Sequence, residues 1–257
     1  QLTFEQSFGN HNVNVIAVAE KQDAKSEGIS ASGQRPDNNI QVLQGISNPN
    51  GSSSLSQNSL LSYVGRLTYD YAGKYLLGAS IRRDGSSKFA PGRKWGIFPS
   101  ASVGWRISEE PFMKSITAIS SLKLRASIGQ TGYNAIGDYD WQPLISANST
   151  IYPFGNATTN LGSYFNRLGN TGLSWEETTM SNIGFDLSLG SFDISAELYK
   201  RKTDGLLLSV PLPESLGFSS SPLANVGSMQ NTGFELALGY NHRSADFNWS
   251  LTGTFDM

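Results

Sequence analysis

The side chains best able to do covalent or metal chemistry are few and poorly spaced for it. His11 and His242 are the two histidines. Each falls at a predicted short turn with no second ligand-type residue at metal-binding spacing, so each reads as a turn or surface residue. Cysteine is absent, which removes thiolate nucleophiles, disulfides and Cys-based metal sites. Glu109-Glu110 and Glu176-Glu177 are adjacent in sequence. Neighbouring side chains diverge on a strand or open a turn, so these acids read as solvated caps and not as a paired acid and base. No phosphate-binding G-x-x-x-x-G-K-[ST] string occurs. These observations predict no catalytic residue, no metal and no cofactor.

Binding chemistry is better represented. The stretch 130–177 is too long for a structural connection. It carries Tyr133, Tyr139, Trp141, Tyr152, Phe154, Tyr164 and Phe165, interleaved with Asp138, Asp140, Asn148, Asn156 and Asn166. Aromatic faces stack on sugar C–H surfaces or peptide side chains, while Asn and Asp take hydroxyl or amide hydrogen bonds. The candidates for substrate or lid contact are therefore Asp138, Tyr139, Trp141, Asn148, Tyr152, Phe154, Tyr164 and Phe165; the other reading is that they fold the loop on itself. Lys200-Arg201-Lys202 reads first as a solvated strand end and second as a site for an anionic ligand or outer-leaflet lipopolysaccharide. Arg83-Asp84-Gly85-Ser86-Ser87 reads as a tight polar turn, with Gly85 free to take φ > 0 and Asp84 bonding its own backbone.

The elements that position these residues alternate with period 2. Strands are expected at 2–8, 11–20, 59–71, 75–84, 95–107, 121–129, 178–189, 192–203, 228–240 and 246–256, about ten in all. Short turns at Gly9-Asn10, Ala72-Gly73-Lys74, Gly190-Ser191 and Asn241-His242-Arg243 alternate with long loops at 21–58, 85–94, 130–177 and 204–227. Residues 108–120 make the longest connection on the short side, where Ser108-Glu109-Glu110-Pro111 opens a helical turn. Long loops confined to one end are the signature of an up-and-down membrane β-barrel.

The two faces of these strands differ sharply. One carries Leu67, Leu77, Val103, Leu124, Phe185, Ile194 and Leu236, and the other carries Arg66, Asp70, Arg82, Arg106, Lys123, Arg125, Asp186, Asp193, Glu197 and Glu235. So many charges cannot enter a dry core; Arg66, Arg82, Arg106, Arg125, Asp186 and Glu197 are expected to face a lumen, with the apolar face toward lipid. A soluble antiparallel sheet with one wet face is the competing reading. It would bury Tyr69, Leu77, Trp105, Phe185 and Leu236 between two sheets. The chain has 257 residues, 38% hydrophobic and 11% aromatic, with a mean hydropathy of −0.28. That is too polar for helical membrane spans, whereas barrel strands need only about 9–11 residues each. A formal net charge of −2 gives no basic footprint for nucleic acid. The fold class is all-β: an antiparallel up-and-down transmembrane β-barrel segment. Ten strands with long loops do not close alone, because open edges in hydrocarbon are costly. Since the sequence starts at Gln1 without a leader and stops inside an alternating segment, the remaining strands are expected before Gln1 and after Met257.

Specific strings carry a resemblance. Arg83-Asp84-Gly85-Ser86-Ser87-Lys88-Phe89 precedes Trp95-Gly96-Ile97-Phe98-Pro99-Ser100 and Gly104-Trp105-Arg106-Ile107-Ser108-Glu109-Glu110. Then come 122–132, Leu173-Ser174-Trp175-Glu176-Glu177, 199–207 and Asn225-Val226-Gly227 leading to Asn231-Thr232-Gly233-Phe234-Glu235. In this order they resemble the SusC/RagA-type TonB-dependent outer-membrane transporters, most strongly over 59–240. The resemblance implies a barrel of about 22 strands, an N-terminal plug and a TonB box. These last two are not in this chain, which would be a partial barrel domain over 1–257. It further implies energised import of glycan or peptide fragments across the outer membrane of a Gram-negative bacterium. The implied partners are a SusD-type surface lipoprotein as lid, the TonB complex and outer-membrane lipid, with no nucleic acid. In such a compartment the sequons Asn148-Ser149-Thr150 and Asn156-Ala157-Thr158 are chance matches. A passive porin-like channel is the alternative function.

Overall fold

The computed structural model describes residues 1–34, 39, 42, 45–154, 158–243 and 247–257; of these, 148–154, 158–161 and 243 are described by their backbone alone. Fourteen strands follow in chain order: β1 (Leu2–Phe8), β2 (His11–Gln34), β3 (Ser47–Tyr71), β4 (Tyr75–Ser86), β5 (Trp95–Arg106), β6 (Ile119–Tyr133), β7 (Leu144–Phe154), β8 (Thr158–Arg167), β9 (Glu176–Leu189), β10 (Phe192–Asp204), β11 (Leu207–Ser209), β12 (Leu223–Asn225), β13 (Ser228–Arg243) and β14 (Asn248–Asp256). Ten of them form one antiparallel sheet in the order β1-β2-β3-β4-β5-β6-β9-β10-β13-β14. Every strand pairs with its predecessor and successor in the sheet, which is the up-and-down arrangement the alternation predicts. The other four make two hairpins, β7-β8 and β11-β12, inserted at the long-loop end.

Register fixes the faces. Arg66 pairs with Ser80, Ser80 with Ser100 and Ser100 with Gly129. Gly104, Arg125, Gly184, Glu197 and Glu235 form a second row. Directly opposed residues share a face, so the charged residues line one side. On the other side, Leu124, Phe185, Ala196 and Leu236 make a row across β6, β9, β10 and β13. One hollow takes lining residues from five successive strands: Arg66, Gly78, Ser102, Ser127 and Asn182. Only a sheet curled about its polar face brings five strands to one cavity, so the polar face is concave and the apolar face convex. The two-sheet core is thereby excluded: Leu77 and Trp105 are 48% and 37% exposed on the convex side, with no second sheet over them among the described residues.

Several boundaries differ from expectation. Most of the predicted loop 21–58 is strand, because β2 and β3 run on as a long hairpin. In the far part of this hairpin both faces of the ribbon are exposed, so the period-2 signal vanishes from strings such as Ser52-Ser53-Ser54 although the pairing persists. The loop 130–177 contains the β7-β8 hairpin, and 204–227 contains β11-β12. Asn241-His242-Arg243 belongs to β13, where all three residues pair with β14. Gly85 does not make a positive-φ turn; it lies in β4, where a Cβ would sit 2.8 Å from the Trp95 ring, and the left-handed position is Gly92, with φ +85°. Asp84 accepts its hydrogen bonds from Arg82 Nε, at 2.9 and 2.6 Å. Ser108 does not cap a helix; a single 3-10 turn covers Ile107–Glu109, with no side-chain cap at Arg106.

Candidate functional site

The long-loop end holds nearly all of the buried apolar side chains described. Phe89, Phe98, Ile136, Leu173 and Trp175 form one cluster, with Leu60, Trp141, Leu207 and Leu223 packed against it. Trp175 stands 5.4 Å, centroid to centroid, from both Phe89 and Phe98, and its Nε1 donates to the Lys94 carbonyl at 3.0 Å. Phe98 can lie flat because Gly96 and Gly132 carry no Cβ; one added at either glycine would strike its ring, at 2.4 and 2.0 Å. Thus residues from the Lys88-Phe89, Trp95 to Ser100 and Leu173 to Glu177 strings meet in space to tie three long connections into one platform.

The candidates in 130–177 divide into two groups. Asp138 accepts hydrogen bonds from Ser56 Oγ and, at 3.3 Å, from Asn58 Nδ2, both on β3. These donors and the nearby charge of Lys88 hold its carboxyl below the usual carboxylate range. Asp140 pairs with Arg167 at 2.9 Å and accepts the Gly137 N–H at 2.7 Å. Trp141 packs on the platform. These residues dock the loop. Tyr139, with φ +65°, and Tyr164 and Phe165 on β8 stay exposed, and Phe165 lies opposite the exposed Ile145 across the hairpin. Asn166 bridges Ser146 at 3.1 Å to Ser219 and Ser220 of the 205–227 connection. The side chains of Asn148, Tyr152 and Phe154, and all of Asn156, lie outside the described residues.

The concave wall carries all six residues expected to face a lumen, and much of their charge is paired. Arg125 reaches Glu197, two strands away, and its Nε stands 3.4 Å from Asp186. Asn182 donates to the same Glu197. The path is open because Gly184 lies beneath, where an added Cβ would sit 3.3 Å from the Arg125 guanidinium. Arg82 adds Ser62 Oγ at 3.1 Å to its bonds with Asp84. Arg106 donates to the Gly73 carbonyl at 3.4 Å. Arg66 lines the hollows. Cations come mainly from β3 to β6, and Asp186, Asp193, Glu197, Glu235 and Asp256 from β9 to β14.

At the short-turn end the convex face carries a belt of aromatics. His11 stacks on Phe8 at 5.1 Å, contacts Tyr71 at 4.8 Å and hydrogen-bonds Tyr69 through Nδ1 at 2.7 Å. Tyr75 stacks with Trp105 at 6.4 Å, and Tyr240 packs between Phe192 and Trp249. Aromatic girdles mark membrane–water interfaces. Glu110, expected to be solvated, is buried beneath this belt. It accepts Tyr75 Oη at 2.7 Å, Lys74 Nζ at 3.1 Å and Trp105 Nε1 at 3.2 Å. Those three donors hold its carboxyl below the usual range. A carboxylate with a lowered folded pKa contributes stability above its unfolded pKa and loses it as pH falls through the folded value. The 107–118 connection should therefore stay anchored at neutral pH and loosen only in acid below the ordinary Glu range. Glu110→Ala should speed amide exchange in 107–118 at neutral pH, and equal exchange would show the anchor to be unimportant. Periodicity could not reveal Glu110, because its partners come from two other elements.

Comparison with known proteins decides the family. A model of the TonB-dependent receptor-like β-barrel matches residues 3–256. The chain belongs to that family. It is 34% identical over 255 residues to the TonB-dependent receptor SusC of Bacteroides thetaiotaomicron, covering 96% of this chain and 25% of SusC. It is 43% identical over 200 residues to the TonB-dependent receptor P39 of Formosa agariphila, covering 77% of this chain and 19% of P39. The RagAB peptide importer in its closed-closed state superposes with a TM-score of 0.84 at 26% identity, over 99% of this chain and 28% of that one. The SusC/RagA-type resemblance read from the strings is borne out, as is the partial barrel. The chain spans between 19% and 28% of the length of these relatives. They are receptors and transporters, not enzymes, and none of the comparisons supports the porin-like alternative.

Proposed function

We propose that this chain supplies barrel wall and extracellular rim to a TonB-dependent importer of glycan or peptide fragments in the outer membrane of a Gram-negative bacterium. In this reading the chain performs no catalysis. The observation that carries it is similarity to SusC and to the RagAB peptide importer over nearly the whole chain. The paired charges of the concave wall suit a wet lumen containing a plug, which would lie in the rest of the protein with the TonB box. A SusD-type surface lipoprotein would close over the loop platform. The apolar hairpin face around Ile145, Tyr164 and Phe165 is the candidate surface for that lid or for substrate.

The test uses the full-length protein. Leu144 pairs with Arg167, so the β7-β8 hairpin can be cut at its base and closed with an Asn-Gly turn. The barrel should remain heat-resistant in the membrane, since surface loops tolerate change, while uptake of the native ligand or capture of the lipoprotein falls. Normal import would move the binding surface elsewhere. Collapse of the proton-motive force should abolish uptake by the intact protein; a passive channel would be unaffected.

A further inference from the structure

On the concave wall, Thr68, Gly78, Ser102, Ser127 and Asn182 lie in one row across β3, β4, β5, β6 and β9. Each of these strands has a sheet neighbour on both sides, so the row sits inside the wall, away from either sheet edge. Its middle members carry only a hydrogen or a CH₂OH group. They leave a hollow of about 330 Å³, roughly 10 Å across three strands. Gly78 keeps it open, because a Cβ there would meet Ser102 Oγ at 2.6 Å. Arg66 borders the hollow on the long-loop side, and Leu76, Arg125 and Lys123 border it on the short-turn side.

Of the three cations, Arg125 alone is neutralised, by Glu197 and Asp186. Among the described residues, Arg66 and Lys123 have neither a hydrogen-bond nor an ion-pair partner. Lys123 is the more telling. Asp186 lies directly opposite it in the register, yet Lys123 turns the other way and lies over Gly104, where an added Cβ would sit 3.3 Å from its Cε. Nearby wall acids are engaged elsewhere: Asp186 also accepts Ser195 Oγ at 2.8 Å, Glu197 accepts Asn182, and Asp70 accepts the Gly73 N–H at 3.0 Å. The hydroxyls of Thr68, Ser102 and Ser127 are likewise without a partner among the described residues. The hollow thus offers two free cations and three hydroxyl donors, and no carboxylate lines it. That is the complement of a ligand carboxylate, an acceptor of several charge-assisted hydrogen bonds. A second hollow shares Arg66, Gly78, Ser102, Ser127 and Asn182 with the first and continues past Arg82 to Trp175, at the base of the loop platform. The cationic hollow is therefore continuous with the end at which a ligand would arrive.

We propose that this hollow binds a carboxylate borne by the imported fragment, held between the Arg66 guanidinium and the Lys123 ammonium with the floor hydroxyls donating beside them. The lumen then favours acidic glycan or peptide fragments over neutral ones, a preference that rests on the importer reading of the chain. The Lys200-Arg201-Lys202 run offers no such site. Its side chains alternate between the two faces, and Lys202 pairs with Asp204 at 2.8 Å.

The experiment is calorimetric titration of the full-length protein in detergent with trigalacturonate and its neutral counterpart galactotriose, and with triglutamate and its neutral counterpart triglutamine. At least one acid should bind about tenfold or more tightly than its counterpart, and which one does so separates an acidic glycan from an acidic peptide. Arg66→Gln and Lys123→Gln should each weaken the acid about tenfold, the size of one lost charged hydrogen bond, and leave the neutral probe unchanged. Neither side chain has a partner to lose among the described residues, and retained heat-resistant mobility confirms that each variant folds. In the wild type, raising the salt should weaken the acid alone. Acid and neutral probes binding alike, failure of both acids to bind, or an acid preference kept by both variants would overturn the site. Variants that lose heat resistance and keep the preference would assign the two cations to a carboxylate of the protein's own lumen filling, and overturn it too. Uptake of the native ligand that survives collapse of the proton-motive force would instead overturn the importer reading.

Discussion

Trp175→Ala is expected to open the loop platform, at a cost of about 3–5 kcal/mol for a fully buried aromatic. Trp175 is 7% exposed and Phe89 and Leu173 are fully buried, so the lost ring leaves a cavity that its neighbours cannot collapse to fill. Phe98 is pinned over two glycines and Phe89 is held in the 87–94 connection. The Lys94 carbonyl also loses its donor. The sheet below depends on none of this, since its strands are held by their own ladders. The full-length variant should therefore keep a heat-resistant barrel while its 87–94 and 134–143 segments become sensitive to protease, which reports the population of the open form. Trp175→Phe should recover most of the packing and lose only the hydrogen bond, about 0.5–1.5 kcal/mol. Equal cleavage of wild type and Trp175→Ala would mean that the three connections are not tied together by this core. Because the hairpin β7-β8 rises from the platform, the variant should also lose uptake.

The ten wall strands were legible in the sequence because one face meets hydrocarbon and the other water, and that contrast writes itself as period 2. Phe185 between Gly184 and Asp186 is a clear instance. The pattern stops being written where the contrast stops. Asp23 to Ser32 pair residue for residue with Asn50 to Ser59 in the long hairpin, with a register shift before Gln34 meets Ser47, yet both faces are mostly polar and the segment reads as loop. The platform core was hidden for another reason. Phe89 lies in the 87–94 connection, Phe98 on β5, and Ile136 and Trp175 at opposite ends of the stretch between β6 and β9, and only their meeting in space makes them a core. The resemblance pointed at the same strings without giving their physical role, which is packing. Asp138 and Trp141 have the residue types of ligand contacts, and composition cannot distinguish a side chain that binds a ligand from one that fastens its own loop.

Phe185→Arg tests the orientation of the whole wall. Phe185 shares a row with Leu124, Ala196 and Leu236. On β9 it stands midway between Leu189, at the short turn, and Ser181, where polar residues resume. That places it near the middle of the apolar band, where an outward arginine costs about 2–4 kcal/mol and one near either interface about 0–1. Leu189→Arg is the matched control, on the same strand and face but at the boundary. Full-length proteins refolded from urea into lipid vesicles should show Phe185→Arg shifted strongly toward the unfolded state and Leu189→Arg nearly unshifted. Both substitutions remove an apolar side chain and add the same cation, and neither touches the concave network around Arg125. A soluble sheet would have no depth to report and would tolerate arginine by exposure alone, which already favours Leu189, 39% exposed. Ile183→Arg on the same strand and face therefore decides, since Ile183 is 61% exposed yet lies within the band, and only lipid would make it costlier than Leu189→Arg. Equal shifts for the two variants would therefore dismiss lipid as the environment of the convex face.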